Sequence, residues 1–239
     1  MREGAPKAVT AISRTLQEQI EHGLLAGGSQ LPAERKLSEL FATTRVTVRE
    51  ALLQLESQGL VYREERRGWF ISPPRLAYNL MQRSHFHAMV TAQGRVPTTE
   101  VISARLLPAT AAVCERLQLP ALSSVIQICR GRRIDGRLVL YVEHYLNPQY
   151  FPQILDLDLT QSITELYARH YDLHYGRVRF EIVPTALPVE AAATLKVSTG
   201  SPGLRIALVN YDQHEPLIDC DLEYWRHDAI HVGVDVQER

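Results

Sequence analysis

The sequence predicts an α+β fold in two parts, a helical domain closed by a β-hairpin and then a larger domain built on a mainly antiparallel sheet. Three observations carry this expectation. Apolar residues recur at helical spacing in the first quarter of the chain. Beyond Pro73-Pro74 the pattern changes to short runs rich in Val, Ile, Leu and Tyr, interleaved with helical stretches. The 239 residues, 45% of them hydrophobic, suffice for two separate cores. The expected division is 1–73, a linker at 74–79, and 80–239.

In the first domain, Val9, Ile12, Leu16, Ile20 and Leu24 place residues 7–25 in an amphipathic helix closed by Gly27 and Gly28. A second, short helix starts within Leu31-Pro32-Ala33-Glu34-Arg35, with Pro32 suited to its first turn and Leu37, Leu40 and Phe41 facing inward. After Ala42-Thr43-Thr44, a third helix spans 45–58, with Thr44 as N-cap, Val48, Leu52 and Leu55 inward, and Gly59 at the left-handed C-terminal position. Arg45, Thr47, Arg49 and Glu50 are its expected outward residues. A helix end of this kind suits the DNA major groove, where Arg bonds guanine and Thr meets a phosphate or a thymine methyl. Residues 60–63 and 69–71 read as two strands around Glu64-Glu65-Arg66-Arg67-Gly68, a wing with Arg66, Arg67 and Gly68 at its tip. Residues 1–75 carry a net charge of +2 and the remainder −3, a sign that suits a nucleic-acid-facing first domain. Charge alone would favour a three-helix bundle with a hairpin and no DNA partner.

The string decides between these readings. Gly23 to Pro32, Glu34-Arg35, Thr44-Arg45-Val46-Thr47-Val48-Arg49-Glu50-Ala51-Leu52, Leu55, Gly59-Leu60-Val61 and Gly68-Trp69-Phe70 closely resemble the GntR superfamily of winged helix-turn-helix regulators over residues 7–72. The resemblance implies contacts with double-stranded operator DNA at Arg35, Thr44, Arg45, Thr47, Arg49 and Gly68. Ala33 stands where the family commonly has serine to cap the second helix.

In the second domain, strands are expected at 100–107, 124–134, 137–146, 177–184, 204–212 and 217–226, and helices at 79–92, 109–118, 161–171 and 188–196. Asp135-Gly136 is a preferred two-residue turn. A regular hairpin around it pairs Ile134 with Arg137, Arg132 with Val139 and Arg130 with Tyr141. Arg130, Arg132, Tyr141 and Glu143 then share one face, while Cys129, Gly131, Leu138, Leu140 and Val142 share the other as core. Two guanidiniums beside a carboxylate suit a polar anionic ligand; a solvated face whose charges pair fits the same spacing.

Residues 80–236 resemble the UTRA effector domain of the HutC branch, through Phe86, Gly94, Pro97, Arg130-x-Arg132, Asp135-Gly136, Glu143, Ser162 and Arg226-x-Asp228. This implies a chorismate-lyase-like antiparallel sheet and an anion held by Arg130, Arg132, Ser162 and Phe86-His87, with Glu143 at the far end of the ligand. Ser162 also opens the helix at 161–171, where free N–H groups favour an anion. Thr164 replaces a tyrosine common in the family, implying a smaller or differently shaped effector. The strings 210–214 and 219–228, with Phe86-His87 and Trp69-Phe70, resemble regulators of 2-aminoethylphosphonate degradation. On a strand, Asp219, Asp221 and Glu223 point one way, toward an ammonium group or equally toward solvent beside Arg226 and His227. The implied effector is a small phosphonate or phosphate ester, with a sugar phosphate or carboxylate as the alternative.

Other classes of function are weighed by the same residues. No run is long and apolar enough for a membrane span and no signal core follows Met1, so a cytoplasmic protein is expected. Cys114, Cys129 and Cys220 are scattered, and no histidine has ligand spacing, so neither metal nor cofactor is expected. A lyase-like enzyme is the competing function, disfavoured by the lack of a nucleophile and base pair. A homodimer on a palindrome is expected, because one recognition helix reads too few base pairs. Pro73-Pro74 makes the linker semi-rigid, able to transmit ligand-induced reorientation to the DNA, with Ser84-His85-Phe86-His87 just beyond it.

Overall fold

The computed structural model describes residues 4–64, 66–82 and 85–234, so Glu65 in the wing and Ser84 lie outside the described residues. The chain divides into two compact units. One runs to Arg75 and takes back His227–Ile230; the other is Leu76–Arg226 with the remaining C-terminal residues.

The first unit holds α1 (Gly4–Glu21), α2 (Glu34–Leu40), α3 (Arg45–Ser57) and the hairpin β1 (Val61–Glu64) and β2 (Gly68–Ile71). Val9, Ile12, Leu16, Leu37, Val48, Leu52, Leu55, Val61 and Trp69 form its core. Thr44 caps α3 by accepting from the Thr47 N–H, and Gly59 follows the helix at φ +76°. Here a Cβ would meet Arg75 at 2.7 Å and Asp228 at 3.1 Å, so glycine is required twice over. The expectations for the first two helices need correction. α1 ends at Glu21, leaving Leu24 exposed in the following turn, because Gly23 takes a positive φ. α2 begins at Glu34 after Ala33, so Pro32 precedes the helix, and Leu40 is 73% exposed at its C-terminal end. Before α2, Gly28, Ser29 and Leu31 exchange backbone hydrogen bonds with β2 and extend the wing sheet. From the returning segment, His227 Nε2 bonds the Glu56 carbonyl of α3, and the buried Asp228 accepts from the Ser72 hydroxyl.

The second unit is built on a six-stranded antiparallel sheet of order β4-β5-β6-β9-β8-β7. Its strands are β4 (Pro97–Pro108), β5 (Ser124–Ile134), β6 (Arg137–Leu146), β7 (Tyr175–Ala186), β8 (Pro202–Asp212) and β9 (Leu217–Arg226). α5 (Ala111–Leu117) and α7 (Val189–Leu195) cover one face, packing on Tyr145, Val209 and Cys220 and on Cys129, Leu138 and Tyr141. On the other face, α6 (Ile163–Tyr171) packs on Ile126, Ile128, Leu146 and Ile218. The helix expected at 79–92 is in fact a strand, β3 (Leu76–Asn79), and a shorter helix, α4 (Phe86–Ala92). β3 pairs with β10 (Ile230–Gly233), so most of the expected linker is strand and only residues 72–75 lack regular structure.

The β5–β6 hairpin turns on Asp135-Gly136 with both φ positive, as the preferred turn requires. Its register then departs from expectation. Arg133 pairs with Leu138 but Arg132 pairs with Leu140, so Val139 is a bulged residue and everything beyond it shifts by one. Because side chains alternate, this single residue exchanges the faces of β6 relative to β5. Leu140, Val142 and His144 join the arginine face; Tyr141 and Glu143 join Cys129 on the opposite face.

Candidate functional site

The arginine face of the second unit is the floor of a partly open cavity of about 120 Å³. That is well below the roughly 300 Å³ at which drug-sized sites begin, so it suits a ligand of few heavy atoms. Arg130 and Arg132 from β5, His144 from β6, Asn210 from β8, and Asp221, Glu223 and Trp225 from β9 line it. The start of α4 contributes Phe86 and His87, and the start of α6 contributes Ser162 and Thr164. Ser162 caps α6 by accepting from the Glu165 N–H, which leaves its hydroxyl proton to donate. His85 joins the two helix starts through Glu165 at 2.9 Å.

The two arginines differ in what they already hold. Arg130 is 1% exposed. Its Nη1 donates to the carbonyls of Leu159 at 3.2 Å and Gln161 at 2.8 Å, and its Nε and Nη2 donate to His144 Nε2. His144 must therefore be neutral, with its proton on Nδ1 shared with Asp221 Oδ1. Burial and the two guanidiniums hold its pKa well below the ordinary value, in agreement. Asn210 Nδ2 donates to Asp221 at 3.2 Å and also to Asp219, whose other oxygen accepts from the Tyr175 hydroxyl at 2.9 Å.

Arg132 has no such saturation. It is 9% exposed, its Nε has no hydrogen-bond partner among the described residues, and its guanidinium lies 4.8 Å from the Phe86 ring centroid. Burial lowers its pKa, opposed by the nearby Glu223 and Asp221. Burial in turn raises both carboxyls, Glu223 to about 7, while Arg132 pulls each back toward ionisation. Glu223 also accepts from Trp225 Nε1 at 2.8 Å. His87 is hydrogen-bonded to Thr99 at 2.9 Å, and burial and the Arg132 guanidinium lower its pKa. The cavity thus combines an underused buried cation, two helix starts and a carboxylate wall.

Of the residues expected at a ligand, Phe86, His87, Arg130, Arg132, Ser162, Thr164, Asp221 and Glu223 line this cavity. Tyr141 and Glu143 do not. The bulge at Val139 turns them to the opposite face, where Glu143 accepts from the hydroxyls of Tyr141 and Tyr145. His144 and Asn210 were missed. Only the displaced register brings His144 to the arginines, and Asn210 is one strand beyond the hairpin that spacing could model.

On the first unit, the start of α3 presents Arg45, Val46, Arg49 and Glu50 to solvent. Arg49 is held by Glu34 at 2.7 and 3.2 Å, and the Trp69 indole N–H donates to the same carboxylate at 3.1 Å. Arg49 therefore lowers the Glu34 pKa, and wing and helix are tied together. Arg35 is exposed and pairs with Glu39. Thr47 departs from expectation: it is 8% exposed and its hydroxyl bonds Thr44, so it faces inward. In the wing, Arg66 and Gly68 have φ of +61° and +97°, and the Arg67 guanidinium lies over Phe70 and pairs with Glu64. Among the described residues no helix is long and apolar enough to cross a membrane, and no cluster of His, Cys, Asp or Glu is placed to hold a metal ion.

Residues 92–231 match the UTRA domain family, and residues 8–71 match the bacterial regulatory proteins of the gntR family. The chain is 28% identical over 224 residues to the uncharacterized HTH-type transcriptional regulator YihL of Escherichia coli (strain K12), covering 92% of this chain and 94% of that one. It is 27% identical over 217 residues to the HTH-type transcriptional repressor NagR of Bacillus subtilis (strain 168), covering 91% and 89%. In fold it is similar to the crystal structure of PhnF from Mycobacterium smegmatis, with a TM-score of 0.66 at 23% identity over 95% of this chain and all of that one.

Proposed function

Because the chain belongs to the UTRA-domain transcription regulators of the gntR family, we propose that it is a repressor whose operator affinity is set by a small zwitterionic effector. The best candidate is an amine-bearing phosphonate or phosphate ester, with 2-aminoethylphosphonate first among them. The observation that carries this reading is Arg132, a buried guanidinium whose Nε has no hydrogen-bond partner among the described residues, with Asp221 and Glu223 nearby. A phosphonate would bind the Arg132 guanidinium together with Ser162, Thr164, His87 and the free N–H groups at the start of α6. Two guanidiniums share the buried region with the carboxyls of Asp219, Asp221 and Glu223. Of these, Asp221 and Glu223 line the cavity; a bare dianion would face both, whereas a ligand with its own ammonium would add a cation beside Glu223, which otherwise accepts from Trp225. Phe86 would close over the ligand while stacked on Arg132.

Operator binding is assigned to Arg35, Thr44, Arg45, Arg49, Arg66, Arg67 and Gly68, with Thr47 acting through the helix cap. A homodimer on a palindrome provides the length of site that one helix cannot. The repressor reading takes support from the names of relatives such as NagR.

The test is calorimetry with 2-aminoethylphosphonate, ethylphosphonate and inorganic phosphate, preceded by a thermal-shift screen that includes sugar phosphates and carboxylates. The reading predicts that 2-aminoethylphosphonate binds at least about tenfold more tightly than ethylphosphonate, because only the former has a cation for the carboxylate wall. Preference for an uncharged sugar or a large carboxylic acid would refute the zwitterion assignment.

A further inference from the structure

The opening turn of α3 carries an apolar side chain for which the core has no use. Val46 is 76% exposed and takes no part in the apolar cluster of the first unit. At 3.6 residues per turn, Arg45, Arg49, Val46 and Glu50 fan over about 140° of the helix, with Val46 between Arg49 and Glu50. Thr47, Val48, Ala51, Leu52 and Leu55 fill the buried side. A lone exposed valine is ordinary on most surfaces. This one is flanked by charges on the surface that the operator-binding reading turns toward DNA, and its β-branch costs helix propensity there.

Thr47 sharpens the point. A threonine methyl could have packed on a thymine, but Thr47 is buried and bonded to Thr44. In the first two turns of α3, Val46 is the one exposed apolar side chain among the described residues. It has no side-chain donor or acceptor, so it cannot read guanine, adenine or cytosine by hydrogen bonding. The major groove offers one apolar group, the C5-methyl of thymine. We propose that Val46 is a specificity-determining residue that selects thymine at one operator position by packing on its C5-methyl. The proposal rests on the operator-binding reading.

The experiment first selects preferred duplexes from a random pool with the full chain. Each thymine in the selected site is then replaced in turn by deoxyuridine, which removes only the methyl group. Affinity is measured by fluorescence anisotropy for the wild type, Val46→Ser and Val46→Ile. The wild type and Val46→Ile should lose about fourfold at one thymine position, the worth of one buried methyl. Val46→Ser should show no loss at that position. The difference between the thymine-to-uracil penalties of the wild type and Val46→Ser cancels any effect of the methyl on DNA shape. Val46 is exposed, so the three proteins should melt together. Insensitivity of the wild type to every replacement, or a penalty that persists in Val46→Ser, overturns the proposal. If the chain selects no sequence at all, the operator-binding reading falls with it, a distinguishable result.

Discussion

Replacing Arg130 and Arg132 separately by Met should give opposite outcomes, although the two arginines are only two residues apart on one strand. Arg130 donates to two carbonyls and to the His144 ring, all in the interior. Met in its place leaves those acceptors without a donor, and removing one partner from a buried charged network costs about 3–5 kcal/mol. Arg130→Met should therefore lower the urea midpoint sharply and loosen the 159–161 turn that leads to Ser162. Arg132 holds no hydrogen bond at Nε and rests on the Phe86 ring. Loss of the ring contact and of the cation facing Glu223 and Asp221 is offset in part by removal of a desolvated charge and by protonation of those carboxyls, so Arg132→Met should cost about 1–2 kcal/mol, clearly less than Arg130→Met. Its affinity for 2-aminoethylphosphonate should fall about a hundredfold, the worth of one strong charged contact. Urea denaturation and calorimetry on both variants read the two effects. A stable Arg130→Met that has lost binding, beside an Arg132→Met that binds as the wild type does, would refute this division of labour.

Three further outcomes follow from the same geometry. Glu223 titrates near 7 in the fold against an ordinary 4.5, so its contribution to stability is fully present below about pH 4.5 and is lost as pH rises through 7, amounting to about 3 kcal/mol. Glu223→Gln should thus be more stable than the wild type at pH 8 and indistinguishable at pH 4.5 by thermal unfolding; an equal difference at both pH values would contradict the assignment. Arg45→Ala should cost operator binding about 1–3 kcal/mol, and Arg49→Ala less, because Arg49 must first leave Glu34; anisotropy titrations in which neither variant loses affinity would remove α3 from the DNA interface. Gly59→Ala should destabilise the chain by about 2 kcal/mol in urea, since the new Cβ meets Arg75 and Asp228 at a positive φ, and wild-type stability in that variant would be incompatible with the local geometry.

Local chemistry was readable where one or two residues settle it. Thr44 and Gly59 bracket α3, and Asp135-Gly136 sets the β5–β6 turn, because caps and tight turns depend on side chains within a few positions. The helix at the start of the second unit failed for the converse reason. Leu76–Asn79 becomes a strand by pairing with β10, about 150 residues away. On the arginine face, the alternation of Asp219, Asp221 and Glu223 on β9 was visible because that strand is regular over these residues. The faces of β6 were not, because nothing in Arg137-Leu138-Val139-Leu140 announces a bulge: no glycine or proline marks it. That one residue removed Tyr141 and Glu143 from the site and supplied His144. Thr47 was misplaced because its reciprocal bond with Thr44 competes with an outward orientation, a choice that helical spacing alone does not reveal.

The claim that joins both units is that one small ligand in the Arg132 cavity changes affinity for DNA. It is tested most directly by titrating the full-length chain against a fluorescent duplex from the promoter of its own operon, with and without saturating 2-aminoethylphosphonate, at one fixed salt concentration. The account predicts that the ligand weakens operator binding by at least about fivefold, the lower end of ordinary allosteric coupling. It predicts no such effect in Arg132→Met. Operator affinity unchanged by a ligand that calorimetry shows to be bound would contradict it.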